Sequence, residues 1–98
     1  PDEITLASRM GLYAAKLGDK ETATRLSQKA VATKPDNADI RFRAAVAYEL
    51  TNQRDAALKE LTHAQQLGYP TRLISTEPDL LALRSDPQFD LLLMERKQ

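Results

Sequence analysis

The chain contains no cysteine, so it can form neither a disulfide framework nor a zinc site with thiolate ligands. It has a single histidine, His63, and three glycines that stand far apart, which excludes a histidine cluster and a glycine-rich phosphate loop. A lone histidine without a positioned partner does not indicate a nucleophilic triad either. We therefore expect no enzymatic activity, no cofactor and no bound metal.

Charge and hydropathy exclude two further classes of partner. Basic and acidic residues number 14 each, so the formal net charge is zero. Such a chain lacks the basic surface by which proteins bind nucleic acids or anionic membranes. Apolar runs such as Leu91–Met94 are far shorter than the ~20 residues of a membrane-spanning helix. We expect a soluble protein without a nucleic-acid partner or membrane insertion. The compartment stays open, with the cytoplasm favoured.

What the chain does contain is an internal repeat with a period of 34 residues. A shift by this period aligns identical residues, which are Pro1-Asp2 with Pro35-Asp36, Arg9 with Arg43, Ala23 with Ala57, and Ala30 with Ala64. Conservative pairs fall between them, for example Leu6 with Ile40 and Leu12 with Val46. The small residues recur where paired helices must approach each other closely.

Within each period, apolar residues recur at helical spacing in two segments. The four predicted helices span residues 4–17, 20–33, 38–51 and 54–67. Turn sequences separate them at Gly18-Asp19, Asn52-Gln53 and Gly68-Tyr69-Pro70, and Asn37 is the expected N-cap of the third helix. The sequence thus predicts an all-α fold with two helical hairpins, over residues 4–34 and 38–68.

This pattern resembles the tetratricopeptide repeat. The residues that carry the resemblance are Gly11, Ala14, Gly18-Asp19, Ala23, Ala30 and Pro35 in the first repeat, and Ala45, Tyr48, Asn52-Gln53, Ala57, Ala64 and Pro70 in the second. Ala7 and Arg41 stand where that family's pattern has tryptophan. The resemblance implies tetratricopeptide-type helical hairpin repeats wound into an α-α superhelix, over about 70 of the 98 residues.

Residues 71–98 do not continue the period. Glu77-Pro78 and Asp86-Pro87 each read as a polar N-cap followed by proline at the first helical position. The apolar residues expected to be buried there are Leu80, Leu81, Leu83, Phe89, Leu92 and Leu93. We predict a C-terminal cap of short helices over 71–98 that covers the open end of the second repeat, within a single domain of residues 1–98.

The two ends of the chain suggest a fragment of a larger protein. The tail resembles the segment that closes many bacterial tetratricopeptide arrays, some of which follow kinase, cyclase or DNA-binding domains. Pro1-Asp2-Glu3 occupies the place in the period that Pro35-Asp36-Asn37 occupies later. We therefore expect further sequence upstream in a bacterial protein. The face of the first helix with Leu6, Met10 and Tyr13 would then be open and available for self-association.

The resemblance implies a protein-interaction module, a solenoid scaffold whose first helices line a concave groove. The candidate partner-binding residues at groove positions are Leu12, Lys16, Phe42, Arg43, Val46, Glu49 and Leu50. Such a partly apolar groove suits an amphipathic helix or an extended peptide. The carboxylate clamp of some family members is not expected, because Ser8, Leu12, Phe42 and Val46 stand at its positions.

Two alternatives stay open. Leu12 and Val46 could be packing residues, and Phe42 could contact the tail or an upstream repeat instead of a partner. The chain could also be a regulatory, sensor or dimerisation segment of a larger bacterial signalling protein, such as a kinase, a cyclase or a transcription regulator.

Overall fold

The computed structural model describes the backbone of residues 2–97 and the side chains of residues 2–92. The helices are α1 (Glu3–Lys16), α2 (Lys20–Thr33), α3 (Ala38–Leu50), α4 (Arg54–Gln66), α5 (Thr71–Thr76) and α6 (Pro87–Lys97), with 3₁₀ turns at Pro78–Leu80 and Leu83–Ser85. No strand occurs in residues 2–97. The predicted all-helical fold is confirmed, and the first four helices end within one residue of their predicted limits.

The turns inside the two hairpins have the same geometry one period apart. Gly18 and Asn52 both adopt left-handed backbone conformations, with φ of 83° and 62°. The amides of the next residues, Asp19 and Gln53, each donate to a carbonyl five residues earlier at 2.9 Å. This arrangement closes the end of the preceding helix and reverses the chain. Only residues that tolerate positive φ fit the first position of each turn.

Polar side chains cap the N-termini of α1, α2 and α3. Asp2, Asp19 and Asn37 each accept a hydrogen bond from a first-turn amide at 2.9–3.1 Å, as predicted for Asn37. Asp2 is also paired with Lys34 at the end of α2. The hydrogen bond from Lys34 and the amide of Ile4 lower the pKa of the Asp2 carboxyl to about 2. The start of α1 is thereby tied to the end of α2.

Small residues let the first hairpin pack closely on itself and on α3. Ala14, Ala15, Ala23 and Ala47 form a buried cluster that joins α1, α2 and α3. In α1, a Cβ atom added to Gly11 would lie 3.3 Å from Leu26 Cβ, so glycine permits the close approach of α2. The helices therefore pack at a separation that larger side chains would prevent.

The second hairpin and the C-terminal segment share the larger core. Ile74, Leu80 and Leu83 are fully buried against residues of α3 and α4. Phe89 and Leu92 of α6 join the same cluster. The remaining described core residues of this cluster are Phe42, Ala44, Ala45, Val46, Tyr48, Ala57, Leu58, Leu61 and Ala64.

The structure corrects one expectation about burial. Leu81 was predicted to be buried, but it is 69% exposed because the successive 3₁₀ turns direct Leu80 and Leu83 inward instead. The prediction for Leu93 lies outside the described side chains. In the described part of the chain, no helix is long and apolar enough to cross a membrane.

Candidate partner-binding groove

A concavity of about 230 Å³ lies between α1 and α3. Its lining residues are Arg9, Leu12, Tyr13, Lys16 and Arg43, and we call it the α1–α3 groove. Three of the predicted groove residues, Leu12, Lys16 and Arg43, are brought together here. The groove forms because α3 packs beside α1, so that the same face of both helices borders one depression.

Three of the five lining residues are basic. Arg43 Nη1 donates to Ser8 Oγ at 3.3 Å, and Lys16 Nζ lies 3.7 Å from Asp79 Oδ2. The Lys16–Asp79 pair is exposed and therefore weak. Arg9 is exposed and forms no ion pair within residues 2–92. The groove is thus locally basic although the whole chain is neutral.

Two lining residues supply apolar surface. Leu12 is half-buried, contacts both core clusters and keeps one edge open to the groove. Tyr13 is 70% exposed and combines a flat apolar ring with a hydroxyl group. Rigid aromatic side chains of this kind are favourable contact residues because they lose little conformational entropy on binding.

Phe42 and Val46, two of the predicted groove residues, are core residues in the structure. Val46 is 1% exposed and Phe42 is 7% exposed. The Phe42 ring stacks on Tyr69, with centroids 4.2 Å apart and planes inclined by 10°. Burial raises the pKa of the Tyr69 hydroxyl. The turn after α4, which contains Tyr69, therefore occupies the place beside α3 where a ligand would have had to contact Phe42.

Glu49 and Leu50 also have partners within the chain. Both carboxylate oxygens of Glu49 accept hydrogen bonds from Arg54 at 2.7 Å. Arg54 Nη1 donates in addition to Asp86 Oδ2 at 3.0 Å, which links the second hairpin to the start of α6. The Gln88 amide and the Arg54 guanidinium lower the pKa of Asp86. Leu50 is half-buried against both clusters, so neither residue borders the groove.

Arg9 and Tyr13 are lining residues that the sequence-based selection missed. A signal for Arg9 was present, because Arg9 and Arg43 are one period apart and must share a helix face. Tyr13 was assigned to the open N-terminal face, but its ring borders the groove as well. Accessible groove residues are therefore concentrated on α1, and α3 contributes only Arg43.

The chain matches no family model, no curated protein and no solved structure. Within the described residues, no group of histidine and carboxylate side chains is arranged to hold a metal ion. Function must therefore be inferred from the geometry and charge of the groove.

Proposed function

We propose that this chain is a protein-interaction module of the tetratricopeptide type, which binds a peptide segment of its partner in the α1–α3 groove. The observation that carries the proposal is an accessible depression with three cations and two apolar side chains. The spacing of the helices supports the proposal. The first residues of α2 and α4 are 34 residues apart, and so are the last residues of α1 and α3. The buried C-terminal segment is consistent with the cap of a repeat array.

The groove's dimensions and charge favour a particular ligand chemistry. Its volume of about 230 Å³ is below the ~300–1,000 Å³ of small-molecule pockets, so it suits a few peptide side chains. Arg9, Lys16 and Arg43 favour carboxylates, since arginine pairs with them through two parallel hydrogen bonds. Leu12 and Tyr13 favour an adjacent apolar side chain. We propose an acidic peptide with at least one large apolar residue.

A selection from a displayed library of random peptides tests this function. The chain is immobilised, and enriched peptides are measured for affinity by fluorescence anisotropy. We expect enrichment of acidic sequences that contain a large apolar residue. The variant Lys16→Glu/Arg43→Glu should weaken their binding roughly tenfold or more, because both partners of the carboxylates are reversed.

A matched control reverses two exposed cations on α2, Arg25→Glu and Lys29→Glu, and changes the net charge by the same amount. It should leave the affinity within about twofold, since these residues do not border the groove. Equal losses in both variants would show that net charge and not the groove determines binding. Failure to enrich any acidic peptide would contradict the proposal itself.

A second role, as a dimerisation segment of a larger bacterial signalling protein, draws support from another face of α1. Four large apolar side chains are exposed there, and only one of them borders the groove.

A further inference from the structure

Half of the large apolar side chains that are exposed in the described residues lie on one face of α1. They are Leu6, Met10, Tyr13 and Leu17, with exposures of 57%, 51%, 70% and 84%. Their spacing of four, three and four residues places them in one row along the helix. We call this row the α1 stripe. The other exposed residues of this kind, Leu67, Leu73, Leu81 and Leu91, are spread over α4, α5, α6 and their connections.

The α1 stripe is large for a solvent-exposed surface. Its four side chains expose roughly 500 Å², comparable to the largest apolar patch on a typical monomer, which often has a function. Two such patches facing each other would bury about 1,000 Å², the lower limit of a specific protein interface. This area is therefore sufficient for a weak dimer, and no other contact surface is needed.

The face of α3 that is equivalent to the α1 stripe is covered by other helices. The residues one period after the stripe are Ile40, Ala44, Ala47 and Thr51, and each is 6% exposed or less. Ala47 packs with Ala14, Ala15 and Ala23 of the first hairpin. Helices thus cover this face of α3, whereas the α1 stripe is exposed. The occupant of the α1 stripe is expected to be helical as well.

We infer that the α1 stripe is a dimerisation surface, covered by α1 of a second copy of this chain in antiparallel orientation. The spacing of the stripe is symmetric about a point between Met10 and Tyr13. A twofold axis through that point places Leu6 opposite the partner's Leu17 and Met10 opposite the partner's Tyr13. Such a self-complementary surface is the requirement for a closed twofold dimer.

Charges at the ends of the stripe favour the antiparallel orientation. Glu3 lies one turn before Leu6, and Lys20 lies three residues after Leu17. Both are exposed and unpaired within residues 2–92. Antiparallel pairing places Glu3 at the end of the interface where the partner's α2 begins with Lys20, whereas parallel pairing places Glu3 beside the partner's Glu3.

The groove side of the stripe carries two cations, Arg9 and Lys16, and these limit the affinity. Antiparallel pairing brings Arg9 towards the partner's Lys16, which opposes the attraction at the two ends. This balance and the small area predict a dissociation constant of roughly 10–100 µM. The dimer should therefore appear only at high protein concentration.

Sedimentation equilibrium from about 1 µM to 1 mM tests the dimer, with the dissociation constant expected in the range given above. Leu6→Glu should raise the dissociation constant roughly tenfold or more. The matched control is Leu91→Glu on α6, because Leu6 and Leu91 are 57% and 59% exposed. The control should change it by no more than about twofold. Leu17→Gln, at the most exposed position of the stripe, gives a second variant if Leu6→Glu does not fold.

A monomer throughout the concentration range would overturn the inference. Equal effects of the Leu6 and Leu91 substitutions would also overturn it, because association would then not depend on the stripe. Leu6 does not border the α1–α3 groove, so loss of dimerisation with retained peptide binding separates this inference from the proposed function.

Disulfide cross-linking tests the orientation, since the chain has no cysteine of its own. Leu6→Cys and Leu17→Cys variants are mixed at a dimer-forming concentration and oxidised with a glutathione buffer. Antiparallel pairing predicts that the mixed cross-linked species exceeds both homodimers. A predominance of homodimers would show parallel pairing. No cross-link under conditions where sedimentation shows a dimer would place the interface elsewhere, and either result refutes the geometry.

Discussion

The ion pair between Arg41 of α3 and Glu60 of α4 gives a quantitative test of how the second hairpin is held together. Arg41 Nη1 lies 2.8 Å from Glu60 Oε1, and the two side chains are only 13% and 11% exposed. Arg41 Nε also donates to the Pro35 carbonyl at 2.8 Å, which ties the preceding loop to the same residue. The pair is therefore nearly removed from water and geometrically well formed.

Burial determines the expected magnitude. Removal of one partner from a buried pair costs about 3–5 kcal/mol, because the other charge loses its compensation. The remaining exposure lets some water reach the charge left behind, so we expect about 2–3 kcal/mol for Arg41→Met or Glu60→Met alone. Replacement of both residues leaves no uncompensated charge and should cost about 2 kcal/mol or less. The two substitutions should therefore be coupled by about 2 kcal/mol or more.

The assay is a double-mutant cycle in which urea unfolding of each variant is monitored by circular dichroism, with the same m-value for all variants. The matched control is a second cycle on the exposed pair Lys16–Asp79, whose side chains are 52% and 33% exposed. Its coupling should be about 0.5 kcal/mol or less. An Arg41–Glu60 coupling below about 0.5 kcal/mol, or equal couplings in both cycles, would contradict the expected effect of burial.

Three further outcomes follow from the structure. Phe42→Ala should lower the free energy of unfolding by about 3–4 kcal/mol, because it removes a buried ring stacked on Tyr69. Unchanged stability with lost peptide binding would instead show that Phe42 is a groove residue. Gly18→Ala should cost about 1–2 kcal/mol in urea unfolding, since φ is 83°, and an unchanged midpoint would contradict the left-handed turn. The pKa of Asp86 is lowered in the folded chain, so its carboxylate contributes stability above the ordinary pKa of 3.8, and this stability is lost as pH falls through the lower folded pKa. Asp86→Asn should therefore reduce the drop in Tm on acidification. Identical drops in both proteins would contradict this assignment.

The helices were predictable because their signals are local or strictly periodic. The 34-residue period fixed the four long helices, and residues that accept positive φ or cap an N-terminus marked their limits. Gly18 and Asn52 illustrate this, since each ends a helix one period apart. Asp86 and its following proline likewise marked the start of α6 from neighbouring residues alone.

The candidate site was only partly predictable because it depends on which side chains meet in the folded chain, and the 34-residue period does not specify this. Phe42 occupies a groove position in the sequence, but Tyr69, in the turn after α4, stacks on it. No spacing rule specifies where such a turn places its side chains. Glu49 likewise pairs with Arg54 of the following helix instead of bordering the groove. In contrast, Arg43 stayed in the groove because its position is set by the packing of α3 beside α1.

The same limit explains the error at Leu81. Composition indicated that the leucines of the tail are buried, but the two 3₁₀ turns bury Leu80 and Leu83 and leave Leu81 in solvent. A periodicity of three differs from the helical spacing assumed for the tail, and it emerges only when the proline-containing turns are in place.

An NMR titration shows directly whether the α1–α3 groove binds an acidic peptide. Amide spectra of the chain are recorded as the most enriched library peptide is added to saturation. We expect the largest chemical-shift changes at Leu12, Lys16 and Arg43, and little change in α4 and α6. Largest changes on α4 or α6, with an unperturbed groove at saturation, would contradict this expectation.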